Sequence, residues 1–343
     1  MFRLKRVLNF NTIKHFYRSY VSFIDIHVDR VKAVKIKPEF DCNESDSQIK
    51  VEVLDGDKNL IKLNSVAKIL QTEKKFNLEA FETSEDMTFI VELPMSLFND
   101  VEINVSAVKG DFKFDNLPKV NRISAVTNDG KIKIQHSRCE EVAVKASDIT
   151  IDTLYAYDID LKAMTNAETS LINIVKCQSD QMRAEAPKVR IDSCYTNKIY
   201  IKSYVEALLK NLHGDSVFDC TGHVFNTVGF SGTFNGRIAT ERTMLHFAEL
   251  SRDSKVVISH KDGMIRAGFA NDIVKNSTNL HIRSCCPIQT KSKEFIVCQK
   301  SEKLFEVIRV NENSDSTLKM IIEDGKELQL IKQSWIDSIT FEF

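Results

Sequence analysis

The sequence has 343 residues, of which 43% are hydrophobic and 28% are charged, and its formal net charge at pH 7 is −1. This composition supports a folded core and excludes a disordered chain. No run of about 18 consecutive apolar residues occurs, which excludes a transmembrane helix.

The first 20 residues differ from the rest of the chain, because they are rich in Lys, Arg and apolar residues and no acidic residue occurs before Asp25. This composition predicts a mitochondrial transit peptide at residues 1–20 and a location in the mitochondrion, in the matrix. A basic tail without a targeting role is the alternative. Removal of its five Lys and Arg residues leaves a net charge of −1 − 5 = −6, which argues against nucleic acid as a partner.

Residues 21–100 carry strand patterns separated by acidic, polar loops. Apolar and polar residues alternate in Ile24–Val28, Ile49–Val53 and Phe89–Leu93. We expect this segment to form a β-rich cap that covers strand edges at one end of the repeat described next.

From residue 101 to residue 290, short alternating segments return with a period of about 19 residues. A second series of alternating segments lies between them, as in Ile103–Val105 and Ile159–Leu161, so each period holds two strands. The apolar residue at the centre of each segment of the first series is Phe114, Ile134, Ile151, Ile174, Ile191, Leu209, Val228, Leu245 or Ile265.

Two short strands per period, without a helical stretch of ten or more residues, favour an all-β fold. We predict a right-handed β-helix, or β-solenoid, of about nine rungs with β-rich ends. An antiparallel sandwich would also show short, evenly spaced strands, and it is the competing interpretation.

Residues 291–343 are predicted to form a C-terminal β-hairpin cap. Two apolar segments, Leu318–Ile322 and Leu328–Ile331, flank the turn sequence at residues 323–326. The single tryptophan, Trp335, is interpreted as a packing anchor near the end of this cap.

The rungs with small residues, such as Val144–Ser147 and Ile201–Ser203, and the ending Lys332–Ser338 resemble the eukaryotic adhesin-like β-helix proteins. The resemblance is greatest to the family with sequence similarity one hundred eighty-five, and it covers most of the chain after residue 20. It implies a right-handed β-helix and residence in mitochondria, and it implies no catalytic residues.

The eight cysteines form no C-x-x-C pair and show no metal-ligand spacing with histidine. In a reducing compartment we expect them to be thiols. Cys177, Cys194 and Cys220 are interpreted as small apolar fillers of stacked rungs rather than as ligands. No metal and no cofactor is expected.

Common catalytic motifs are absent from the sequence. The densest polar cluster contains His213, Asp215, Asp219 and His223. A metal or acid–base site is one interpretation of this cluster, and a solvated turn is the favoured one.

Two further pairs share a strand face at a spacing of two residues, Asp158 with Asp160 and Asp148 with Thr150. Carboxylates paired across rungs can serve glycoside cleavage, but the outward acidic residues of a solenoid more often belong to its solvated face. No catalytic residue is therefore assigned.

We expect a non-enzymatic protein-interaction or scaffold module with a protein partner, and no role for nucleic acid. The alternative is a β-helix enzyme acting on carbohydrate or lipid. An enzyme predicts a groove where carboxylate, His or Arg side chains converge, whereas a scaffold predicts an exposed apolar or aromatic patch.

Overall fold

The computed structural model shows an all-β fold, a β-solenoid of about seven turns, which confirms the predicted fold class with slightly fewer turns. Residues up to Cys139 form one compact unit, and those from Glu140 form a second. The predicted transit peptide and Trp335 lie outside the described residues. The structure describes residues 21–39, 48–72, 74–164, 168–250, 255–258, 264–269, 281–283, 288–290, 295–301, 304–309 and 317–321, with side chains through residue 240 except 237 and 239.

Among the described residues, the first unit contains nine complete strands and two single-turn 3₁₀ helices, Leu63–Ser65 and Met95–Leu97. No helix in the described part of the chain is long and apolar enough to span a bilayer. The strands are β1 (Phe23–Glu39), β2 (Lys50–Leu54), β3 (Leu60–Ile61), β4 (Ala67–Gln71), β5 (Lys75–Ala80), β6 (Thr88–Pro94), β7 (Glu102–Asp115), β8 (Val120–Asp129) and β9 (Lys131–Gln135).

Each turn of the first unit has two sides joined at a corner. The long strand β1 changes register between Arg30 and Ala33, and its two halves pair in parallel with β5 and β6 respectively. On the other edge, β1 pairs in parallel with β7 along both halves, and β7 continues the stack to β8 and β9. Alternate residues of these strands point inward and are buried, as the period-two pattern predicts.

Antiparallel hairpins end this parallel stack. Strand β2 pairs antiparallel with β6 and with β3, and β4 pairs antiparallel with β5. Two of these pairs, β2 with β3 and β4 with β5, are local hairpins. Together with the β2–β6 pair they replace the next parallel rung, which would otherwise leave β5 and β6 as long open edges.

The second unit contains the longest strands of the chain, because several strands pass round a corner without a break. A separate antiparallel sheet is formed by the last three strands. The strands are β10 (Ser137–Ala146), β11 (Asp148–Tyr155), β12 (Asp158–Ala163), β13 (Leu171–Ile191), β14 (Cys194–Lys210), β15 (Leu212–Gly232), β16 (Phe234–Leu250), β17 (Lys255–Ile258), β18 (Met264–Phe269), β19 (His281–Arg283), β20 (Ile288–Thr290), β21 (Phe295–Ser301), β22 (Leu304–Arg309) and β23 (Thr317–Ile321).

Strands β10 to β20 stack in parallel, but the step between turns is not constant. Glu141 pairs with Asp158, and Asp158 in turn pairs with Gln181. The segment of chain from Asp158 to Gln181 is longer than the segment from Glu141 to Asp158. The pairing of Ile151 with Ile174 agrees with the repeat inferred from the sequence. The additional residues of the longer turn therefore lie outside the paired segments, and the strands keep their register.

One predicted rung centre is wrong. The sequence pattern predicts that Val228 points inward, but it is exposed, and the neighbouring Thr227 is fully buried. Leu209 pairs with Thr227, and Thr227 pairs with Leu245, so a threonine occupies this inward position between two leucines. The apolar pattern misled because it assigned the core position to valine rather than to a residue with a hydroxyl group.

The core of the second unit changes from small to aromatic residues along the stack. Phe218 stands next to Gly236 in the register, and the space that the glycine leaves accommodates the edge of the Phe234 ring and the Cβ of Phe218. Four phenylalanine rings pack with centroids 4.5 to 6.2 Å apart, in tilted and edge-to-face geometries: Phe218, Phe225, Phe230 and Phe234.

Glycine is needed at one stacked corner of this unit. Gly214 has φ +136° and Gly232 has φ +132°, a region that L residues rarely adopt. A Cβ on Gly214 would overlap the carbonyl oxygen of Thr196, and one on Gly232 would overlap the backbone of Gly214. Gly214 and Gly232 therefore allow consecutive corners of this unit to approach closely.

Candidate functional site

Outward side chains on one side of the second unit form columns, because in-register parallel strands place equivalent residues about 4.8 Å apart. One column, the polar column, extends over five turns, roughly 19 Å at that spacing. The residues of the polar column are Glu141, Asp158, Gln181, Lys198 and Asp215.

A groove of about 880 Å³ follows the polar column and the column beside it. The second column contains Asp160, Arg183, Tyr200, Val217 and Asn235. Four carboxylates and two cations line the groove, which gives it a formal charge of −4 + 2 = −2. The groove therefore offers mixed polar recognition with a net acidic character.

The acidic end of the groove contains carboxylate oxygens without partners. The Oδ1 atoms of Asp158 and Asp160 have no hydrogen-bond partner. The other carboxylate oxygen of Asp160 lies 3.9 Å from the Lys162 ammonium. Both Oδ1 atoms are buried, so they are unsatisfied acceptors beneath the groove surface rather than groups exposed to a ligand.

Along the middle of the groove, aromatic and cationic groups contact each other. The Arg183 guanidinium carbon lies 5.1 Å from the centroid of the Tyr200 ring, a cation–π geometry. Since Arg183 remains half exposed, the planar pair presents both an aromatic edge and unused donors to the groove.

One rim of the groove is a corner that carries exposed aromatic residues, here called the aromatic corner. Tyr195 and His213 stack with ring centroids 4.3 Å apart and an interplanar angle of 5°. Tyr155 belongs to the same column through Gln178, and Tyr157 follows Tyr155 closely in the chain. The exposed fraction is 61% for Tyr157 and 48% for Tyr195, so these rings are accessible.

The groove is flanked on its other side by a hydrogen-bonded cluster around Glu185. The Tyr204 hydroxyl donates to the Glu185 carboxylate over 2.7 Å, and the Lys202 ammonium donates to it over 2.9 Å. The hydrogen bond from Tyr204, followed by that from Lys202, lowers the pKa of Glu185 below its ordinary value. Burial is the largest of the influences that raise the pKa of Tyr204. The cluster therefore holds an ionised, well-satisfied carboxylate.

The predicted cluster of His213 and His223 does not converge. The straight segment Asp215–Cys220 separates the two histidines, which places them roughly 16 Å apart at about 3.3 Å per residue. His213 instead stacks on Tyr195. Among the described residues, no group of three or more His, Cys, Asp or Glu side chains is placed to hold a metal ion.

The remaining candidates have structural surroundings. The Asp148 carboxylate accepts a hydrogen bond from the Leu171 backbone over 3.0 Å, so it ties two turns together, and Thr150 lies on the same outward face. Cys177, Cys194 and Cys220 point inward as buried free thiols, as expected for fillers of stacked turns.

Of the groove, the sequence indicates Asp158, Asp160 and Asp215, the last as a member of the polar cluster with His213 and His223. Arg183 lies on a different turn from Tyr200 and Lys198, so their proximity depends on the step between turns. A comparison of outward residues that lie one repeat apart in the sequence, instead of inward residues, would have aligned Tyr195 with His213.

No protein-family model and no curated protein matches the sequence. Among solved structures, the chain is similar to a protein of Parabacteroides merdae described as a "putative adhesin", with 12% sequence identity and a TM-score of 0.27. The match covers 81% of this chain and 92% of that chain. At this TM-score it carries no argument about fold or function, and the family resemblance seen in the sequence stays a prediction.

Proposed function

We propose that this chain is a non-enzymatic interaction module that binds a protein partner through the aromatic corner and the adjoining groove. The exposed Tyr195–His213 stack is the observation that carries the proposal. Tyrosine offers a large, rigid contact surface with a polar tip, and Tyr and Arg are enriched where proteins meet. The net acidic groove beside it adds charge selectivity.

The test is quantitative affinity capture with the full chain and two sets of variants. Tyr157→Ser combined with Tyr195→Ser removes the exposed rings without touching the core. Val175→Ser and Val228→Ser, which alter exposed apolar residues elsewhere on the second unit, are the matched controls. We expect a stoichiometric partner that the controls retain and the tyrosine variant loses. Equal capture by all variants, or capture of nothing, would contradict the proposal.

We propose that the protein acts in the mitochondrial matrix. Support comes from the basic, acid-free composition of residues 1–20. The targeting role is tested by import into isolated mitochondria of a reporter fused to these residues. A variant with Lys/Arg→Gln substitutions in this segment is the control. A reporter that stays outside in both forms would refute it.

A second candidate, an enzyme acting on carbohydrate, is favoured by one observation. Asp158 and Asp160 both line the groove from one strand, with Cα atoms about 6.7 Å apart. Glycoside hydrolysis uses two carboxyl groups that flank the scissile bond, and this pair supplies two neighbouring carboxyl groups in one groove. Turnover of an oligosaccharide panel that Asp158→Asn abolishes would establish this function, and absence of turnover by the wild-type chain would remove it.

A further inference from the structure

Strand β4 lies at an edge of the first unit. Its residues pair antiparallel with β5 on one side. Among the described residues, no strand pairs with the other side of β4. The segment that ends the parallel stack therefore has an open edge of its own.

The hydrogen-bond pattern shows which backbone groups face this edge. The Phe81 amide donates to the carbonyl of Val66, and the Thr72 amide donates to the carbonyl of Lys75. Bonded and non-bonded pairs alternate in an antiparallel ladder, so the residues bonded to β5 are those at positions 66, 68, 70 and 72. The amide and carbonyl groups of Ala67 and Ile69 consequently point away from β5, toward the open edge.

Apolar side chains accompany these free backbone groups. Leu70 is 48% exposed and Phe81 is 63% exposed. Ile69 and Phe81 line a hollow of about 310 Å³ on the same part of the surface. An edge that combines unused backbone groups with exposed apolar residues is a template for another strand.

We propose that β4 pairs antiparallel with β4 of a second copy of this chain, about a two-fold axis at Ile69. Ile69 then faces Ile69 of the second copy, and the two exchange a pair of backbone hydrogen bonds. Lys68 faces Leu70 of the second copy, so its aliphatic stem covers an exposed leucine. No two lysines stand directly opposite each other in this register, and like charges are not opposed.

A second copy fits this edge because the two-fold pairing uses the same strand on both molecules. Both open β4 edges are consumed at once, which gives a closed dimer. The neighbouring positions on β5 are compatible, since Leu70 pairs with the uncharged Asn77. A contact this small is below the standard interface size, so the dimer dissociates reversibly in the micromolar range, about 1 to 100 µM.

Sedimentation velocity of the full chain over about 1 to 200 µM tests the dimer. Two variants at one exposed position form the matched pair. Leu70→Lys places a lysine opposite Lys68 of the second copy, whereas Leu70→Glu places a carboxylate there. We expect dimerisation about tenfold weaker for Leu70→Lys than for Leu70→Glu, because like and opposite charges act twice about the axis. A monomeric wild-type chain at every concentration, or equal behaviour of the two variants, overturns the proposal.

Hydrogen exchange supplies a measurement that does not depend on any variant. The amides of Ala67 and Ile69 become protected as concentration rises, whereas those of Lys68 and Leu70, already bonded to β5, do not change. Concentration-independent exchange at Ile69 in a dimerising sample would place the interface elsewhere and overturn the assignment to β4.

Discussion

At the scale of single residues, the outward positions of the solenoid are of two kinds. Some carry polar groups that neighbours satisfy, as Glu185 does with Tyr204 and Lys202. Others, such as Asp158, keep a carboxylate oxygen without a partner. The first kind contributes to stability, whereas a buried acceptor without a partner reduces it.

The depressed pKa of Glu185 predicts a dependence of stability on pH. A carboxyl group with a lower pKa in the folded than in the unfolded state stabilises the fold above its unfolded pKa, and this contribution is lost as the pH falls through the folded pKa. We expect Glu185→Gln to lower the free energy of unfolding by about 1 to 2 kcal/mol at pH 7. The difference from wild type should shrink below about pH 4 in urea unfolding experiments. A constant difference across the pH range would contradict this.

The corner at Gly214 has no room for a side chain, which predicts that a larger residue there destabilises the fold. Gly214→Ala combines an unfavourable φ with overlap of the Thr196 carbonyl, so we expect a loss of at least about 2 kcal/mol in unfolding free energy. Gly236→Ala is the control, because its Cβ would meet side-chain atoms of Phe234 and Phe218 at 3.2 and 3.3 Å and its φ is not in the left-handed region. Thermal unfolding of both variants checks the order, and a larger loss for Gly236→Ala would refute it.

At the scale of the strand, the register of β14 to β16 places Thr227, and not Val228, in the core, and this assignment can be tested by substitution. Thr227 is fully buried, and its hydroxyl has no hydrogen-bond partner. Thr227→Val should therefore raise the free energy of unfolding by about 1 kcal/mol, since an unsatisfied polar atom is replaced by a methyl group. Val228→Thr, at the exposed neighbour, should change it by less than about 0.5 kcal/mol. Chemical denaturation measures both, and the reverse order would mean that Val228 points inward.

The strand pattern was predictable because inward residues alternate strictly, as in Ile149–Ile151 and Ile172–Ile174. The antiparallel hairpins of the first unit carry the same alternation, so periodicity alone did not separate β4 and β5 from the parallel stack. Whether two strands pair in parallel or antiparallel depends on which segments of the chain meet, and the alternation within one segment does not show this. The inward position of Thr227 was not predicted for a different reason, because a residue with a hydroxyl group does not fit the apolar pattern of inward positions.

The candidate site was less predictable than the fold. Asp158 and Asp160 share one strand, and their alternate positions on it revealed their common face. Tyr195 and His213, by contrast, stack between successive turns, and Arg183 meets Tyr200 in the same way. Contacts between turns require the step length at each corner, which no local motif encodes.

At the scale of the whole molecule, buried thiols report on global opening. Burial raises the pKa of Cys139 to about 12 and also raises that of Cys220, while a hydrogen bond with Cys177, followed by burial, raises the pKa of Cys194. Protonated, inaccessible thiols do not react, so maleimide should label these cysteines at about pH 8 only as the chain unfolds.

Mass spectrometry of labelled peptides measures the rate at each cysteine, with fully denatured protein as the control. Cys139 is the last residue of the first unit and lies in β10, whereas Cys177, Cys194 and Cys220 lie within the second unit, so opening of the boundary strand is followed separately from opening of the second unit. Rapid labelling of Cys139 in native protein would show that this boundary strand opens locally.

The unequal step between turns has a consequence for how such a molecule changes over time. The chain from Asp158 to Gln181 is longer than the chain from Glu141 to Asp158, yet all three residues remain in one column. Insertions and deletions at corners can therefore accumulate in descendants without moving the residues that face the groove. Loop length and the outward columns are therefore free to vary independently, and a peptide epitope inserted between Ala163 and Leu171 should leave the residues that line the groove in place.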